Sequence, residues 1–171
     1  MKTILQSLML LLTALVTLTA SAAMASDNIT LQVDMKGLHK PHAGNDSSEE
    51  HHRWLEVTAS AMSLDQPKSV TLEWCFFADD LSTGKVVEHA RGFESLEMQP
   101  GRPARLRGTD TVFSYVRQHS ERSGGGRRPV YKKVEASGFR YHGWAVTAWV
   151  DGKVFGEAYS SRDIAEKMKE N

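Results

Sequence analysis

Residues Trp144–Tyr159 read WAVTAWVDGKVFGEAY. Two runs rich in β-branched and aromatic side chains flank Asp151-Gly152, a pair that tolerates positive φ. A two-residue Asp-Gly connection favours the type I′ turn, whose twist matches two antiparallel strands, so the stretch predicts a β-hairpin. Side chains alternate across a strand. Trp144, Val146, Ala148 and Val150 therefore share one face, and Ala145, Thr147 and Trp149 the other. Apolar groups on both faces predict that the hairpin lies inside a sheet or beneath another element.

The same period of two recurs upstream. Ile29, Leu31, Val33 and Met35 alternate with Thr30, Gln32, Asp34 and Lys36. Leu55, Val57, Ala59 and Ala61 alternate with Glu56, Thr58 and Ser60, and Val70, Leu72, Trp74 and Phe76 with Thr71 and Glu73. Each run is a strand signature. Further strands are expected at 85–93, 104–107, 111–118 and 130–134, separated by turn-prone Asp79–Gly84, Gln99–Pro103 and Ser123–Arg128. After Ser160 the spacing turns helical. Ser160-Ser161-Arg162-Asp163 resembles a capping box ahead of Ile164, Ala165 and Met168, predicting a helix over 161–169.

Seven to nine strands with no helix between them predict an all-β antiparallel sandwich closed by a short C-terminal helix. A small antiparallel β-barrel is the alternative. In strand rhythm, and in Gly143-Trp144 leading into the Asp-Gly hairpin, the chain resembles the immunoglobulin-like and fibronectin-like β-sandwiches of exported bacterial proteins of unknown function. The resemblance implies the architecture alone. It carries no site residue, and the paired cysteines of antibody domains are absent.

The N-terminus predicts export. Lys2 precedes an apolar run from Leu8 to Leu18, and the small residues Ala20–Ala25 follow. Charge, apolar helix and small side chains are the three parts of a secretory signal. Ala23-Met24-Ala25 fits the cleavage rule best, giving a leader over 1–25, with Ala20-Ser21-Ala22 as the other site. The run is shorter than the roughly 20 residues that span a bilayer. The chain of 171 residues, less a 25-residue leader, leaves 146 for one domain over 26–171. The expected destination is the periplasm or the medium, with no stable membrane insertion after processing.

The 21 basic and 21 acidic residues balance, and losing Lys2 leaves a net charge of −1. That neutrality offers nothing to nucleic acid. Cys75 is the single cysteine, so no internal disulfide forms. Its aromatic neighbours Trp74, Phe76 and Phe77 predict a buried, inert thiol.

No Gly-x-Ser-x-Gly elbow, phosphate loop or cofactor cradle stands in the chain, and no catalytic residue is assigned. The expected function is a non-catalytic binding module, partnered by another protein, a polysaccharide or a second copy pairing at a sheet edge. The alternative is metal handling. The segment 37–53 reads as a polar loop, and its His39, His42, His51 and His52, with Glu49 near His51, suit Zn, Cu or Ni. A further alternative is carbohydrate binding on an outward aromatic pair, Trp149 and Tyr159. A small hydrolase is the third class.

Overall fold

Among the described residues, alternating side chains build ten strands and a helical run builds one helix. In chain order they are β1 (Ile29–Pro41), β2 (Ser48–Ala61), β3 (Lys68–Asp80), β4 (Lys85–Met98), β5 (Ala104–Arg107), β6 (Thr111–Val116), β7 (His119–Ser123), β8 (Val130–Val134), β9 (Ser137–Val150), β10 (Lys153–Tyr159) and α1 (Arg162–Glu170). The structure is a computed structural model that describes residues 28–41, 47–123 and 130–170. The leader expected over 1–25 lies outside the described residues.

The main ladder runs β1-β2-β6-β9-β3-β4, with β5 added on β2 and β10 on β9, while β7 and β8 form a separate ribbon. All pairings are antiparallel. The path ends at β1 and β4 and does not close, so the barrel alternative is corrected to an open, all-β sandwich. One layer is β1, β2, β5 and β6; the other is β4, β3, β9 and β10.

Strand β9 belongs to both layers. Its first residues, Ser137 and Gly138, pair with Val116 and Tyr115 of β6, and from Phe139 to Trp149 it pairs with β3. The corner is made by Gly138, at φ +91°. A Cβ there would lie 2.4 Å from the carbonyl oxygen of Ser114, so a side chain would collide with backbone that cannot give way.

Between the layers lies one apolar core. Leu55, Val57, Ala59 and Phe113 come from the first layer, and Val70, Leu72, Trp74, Phe76, Val146, Ala148 and Val150 from the second. The expected hairpin is present, with Asp151 at φ 49° and Gly152 at φ 74°, both positive as a type I′ turn requires. Its two apolar faces have distinct covers. One faces the core, and the other meets α1, where Cys75, Phe77 and Ala145 pack with Ile164. The helix is capped by Ser161, the Ile164 N–H donating to its Oγ at 3.4 Å, while Ser160 Oγ accepts from the Trp144 N–H of β9 instead.

Three segments depart from expectation. The segment 37–53 is not a loop over its described residues: β1 continues to Pro41 and β2 starts at Ser48, paired in register from Ile29↔Ala61 to Pro41↔Glu49. Strand β9 begins at Ser137 rather than Trp144, and β7 was not anticipated.

Cys75 is 1% exposed under α1. Burial, with Glu88 as the next cause, pushes its thiol up from 9.0 to about 12. A thiol reagent at mildly alkaline pH should leave the native protein unlabelled and modify one thiol per chain once the protein is unfolded. Because the unfolded chain ionises first, stability contributed by the neutral thiol is intact below 9.0 and drains away as pH rises toward about 12. Rapid labelling of native protein would contradict this burial.

Candidate metal centre

The continued pairing of β1 with β2 decides where the histidines point. His39 stands directly opposite His51, and Pro41 opposite Glu49. Strand alternation then puts His39, Glu49 and His51 on the face that carries Met35 and Leu55 into the core, but farther along the hairpin. Strand β6 adds Tyr115 opposite Glu49 and Phe113 opposite His51.

The ligand atoms of His39, Glu49 and His51 all lie within 4.8 Å of one another. The His39 and His51 rings are 4.6 Å apart between centroids, and His51 stacks on Tyr115 at 5.9 Å. His51 Nε2 is 3.0 Å from Glu49 Oε2. Donors around a tetrahedral ion at about 2.0–2.1 Å sit ~3.3 Å from each other. The His51–Glu49 pair, at 3.0 Å, is close to that separation.

Glu49 is held from three sides. The Tyr115 hydroxyl donates to Oε2, His51 faces the same oxygen, and the Arg117 guanidinium pairs with Oε1. The Tyr115 hydrogen bond, then that of His51, hold the Glu49 carboxyl below the usual carboxylate range. It is therefore an anionic donor, oriented by outer partners as metal-ligating carboxylates are. Burial comes first, and the bond to Glu49 second, in pushing the Tyr115 hydroxyl up.

The other expected site residues fall elsewhere. His52 has the opposite parity: it pairs with Leu38 and Val112 across the strands and bonds Glu50 at 2.9 Å on the outer face. It does not join His39 and His51. His42 lies outside the described residues. Trp149 and Tyr159 share the outer face of the second layer without forming a platform. Trp149 sits opposite Val154 and donates its indole N–H to Glu73 Oε2 at 2.9 Å. Tyr159 sits opposite Ala145 and packs into the cluster beneath α1. Burial first, then Glu157, push its hydroxyl up to about 12.

Sequence spacing points to Glu49 beside His51, but not to Tyr115 or Arg117. The signal for Tyr115 was its parity with Phe113. What placed it beside Glu49 was a β2–β6 register linking residues far apart in the chain.

Among the described residues no helix is long and apolar enough to cross a membrane. No protein-family model matches the chain, and no curated protein does. Among solved structures it is similar to a protein from Akkermansia muciniphila, at 10% identity and a TM-score of 0.39 over 83% of this chain and 74% of that one. It is also similar to a Northeast Structural Genomics Consortium target, at 14% identity and a TM-score of 0.34 over 75% of this chain and 80% of the other. Likeness at this level names neither a ligand nor an activity.

Proposed function

We propose that the protein is an exported, non-catalytic binding module whose ligand is a divalent transition-metal ion held by His39, Glu49 and His51. The observation that carries this reading is the convergence of two imidazoles and one ionised carboxylate within 4.8 Å on paired strands. A mobile loop must lose conformational entropy to gather ligands, and two strands in register have already lost it. Imidazole with carboxylate suits Zn, Cu or Ni. Three protein donors leave a fourth position open, which fits an ion that is taken up and released better than one built in for stability. Export is supported by the leader pattern over 1–25, and the non-catalytic reading by the burial of Cys75, the chain's one thiol.

Calorimetric titration of residues 26–171 with Zn, Cu and Ni tests it. One ion should bind per chain with Kd of about 1 μM or tighter. His39→Ala and His51→Ala should each weaken binding at least tenfold, and Tyr115→Phe by about tenfold through loss of Glu49 orientation. His52→Ala should leave it unchanged, since that side chain faces away. No saturable uptake, or an affinity indifferent to His39 and His51, would reject the proposal.

A further inference from the structure

Arg53 lies on β2 two residues beyond His51, on the same face, with Gly37 of β1 and Thr111 of β6 as its cross-strand neighbours. Same-face rows along a strand are about 7 Å apart, so Arg53 occupies the row next to His39 and His51. Its side chain lies flat over β1. A Cβ on Gly37 would be 2.7 Å from Arg53 Nη1 and 2.8 Å from its Cδ, so glycine makes room for the arginine. The guanidinium carbon is 5.5 Å from the centre of the Tyr141 ring, contributed by the opposite layer.

This cation has no carboxylate partner among the described residues, and its Nε is buried without a hydrogen-bond acceptor. Nearly all buried donors in folded proteins find a partner, and one left unmade is costly. A divalent ion one row away would add repulsion between two cations in a half-buried place. The geometry therefore leaves three demands in one small region: an open coordination position, an unpartnered Nε, and excess positive charge.

Resting on the metal reading above, we infer that the site takes its ion together with a small oxyanion. One oxygen of the anion fills the open position on the ion, and another accepts from the Arg53 guanidinium. No bond is made or broken in the ligand, and the anion acts as a co-ligand. The guanidinium fork suits planar carboxylates and tetrahedral oxyanions alike.

Co2+ is the probe, because its visible absorption reports changes in coordination. The protein is loaded with Co2+ and titrated separately with acetate and with sulfate. At least one anion should shift the absorption bands and saturate, and the arm that responds at lower concentration identifies carboxylate or inorganic oxyanion as the preferred class. Arg53→Gln should weaken that response at least tenfold while Co2+ affinity stays equal or tightens, since a neighbouring positive charge has been removed. Arg53→Lys keeps the charge without the fork and should fall between; its circular dichroism spectrum checks that the fold survives. Co2+ binding with no anion response, or an equal response in Arg53→Gln, overturns this inference and leaves the metal reading standing. Failure to bind Co2+ overturns this inference, and failure to bind Zn, Cu and Ni as well overturns the metal reading.

Discussion

Replacing Phe76 by alanine should lower the unfolding free energy by about 3–5 kcal/mol, the loss expected when a fully buried aromatic leaves a cavity. Phe76 is 1% exposed and central to the core. Its ring meets Trp74 at 5.8 Å, Phe113 at 5.7 Å and Tyr141 at 6.3 Å, all edge-on, an arrangement that adds to simple burial. These neighbours come from β3, β6 and β9, so both layers lose contacts and neither can collapse into the gap alone. Domains of this size are stable by roughly 5–15 kcal/mol, so the variant should sit near its folding threshold. Urea denaturation would show the midpoint falling with the slope unchanged. A loss under about 1 kcal/mol would mean that the two layers are not packed through Phe76.

Arg91→Met should cost about 2–3 kcal/mol, an unusual amount for a residue on an outer sheet face. The reason is Glu73, 9% exposed, whose carboxylate takes one charged partner in Arg91 and one neutral donor in the Trp149 indole. Arg91 also reaches Glu88 at 2.6 Å and is partly open to water, which places the effect at the lower end for a broken buried pair. Without the guanidinium, Glu73 is left with one indole N–H as its partner. Pairing the change with Glu73→Leu removes the stranded charge and should restore stability to within about 1 kcal/mol of the parent. A double variant no better than Arg91→Met alone would show that the arginine acts by packing its stem.

The regions that were legible from sequence are those where burial imposes alternation. Leu55, Val57 and Ala59 announce β2, and Asp151-Gly152 announces the final turn, because each is a local choice with one good solution. Legibility fails where a strand leaves the core. Past Met35 and before Leu55 the core-side face of the β1–β2 hairpin turns polar and the outer face keeps only the scattered apolar Leu38 and Trp54, so the period of two disappears although the backbone pairing continues to Pro41↔Glu49. Those residues, flanked by Gly44-Asn45-Asp46-Ser47-Ser48, imitate a loop. The site shares that fate. Four histidines stood out by composition, but separating His51 from His52 required the hairpin register, and finding Tyr115 and Arg53 required the neighbouring strands. The cluster under α1 was half visible, since Trp74-Cys75-Phe76-Phe77 is apolar on both faces without saying what covers the second.

The passage of β9 from one layer to the other has a bearing on how the molecule comes apart. Because the same strand is hydrogen-bonded to β6 at one end and to β3 and β10 along the rest, parting the layers must break backbone pairs as well as the core between them. The two sheets are therefore tied by a shared strand, which couples the opening of one to that of the other. The β7–β8 ribbon, paired only with itself in the ladder, stands apart from that unit and can fray without consequence for it.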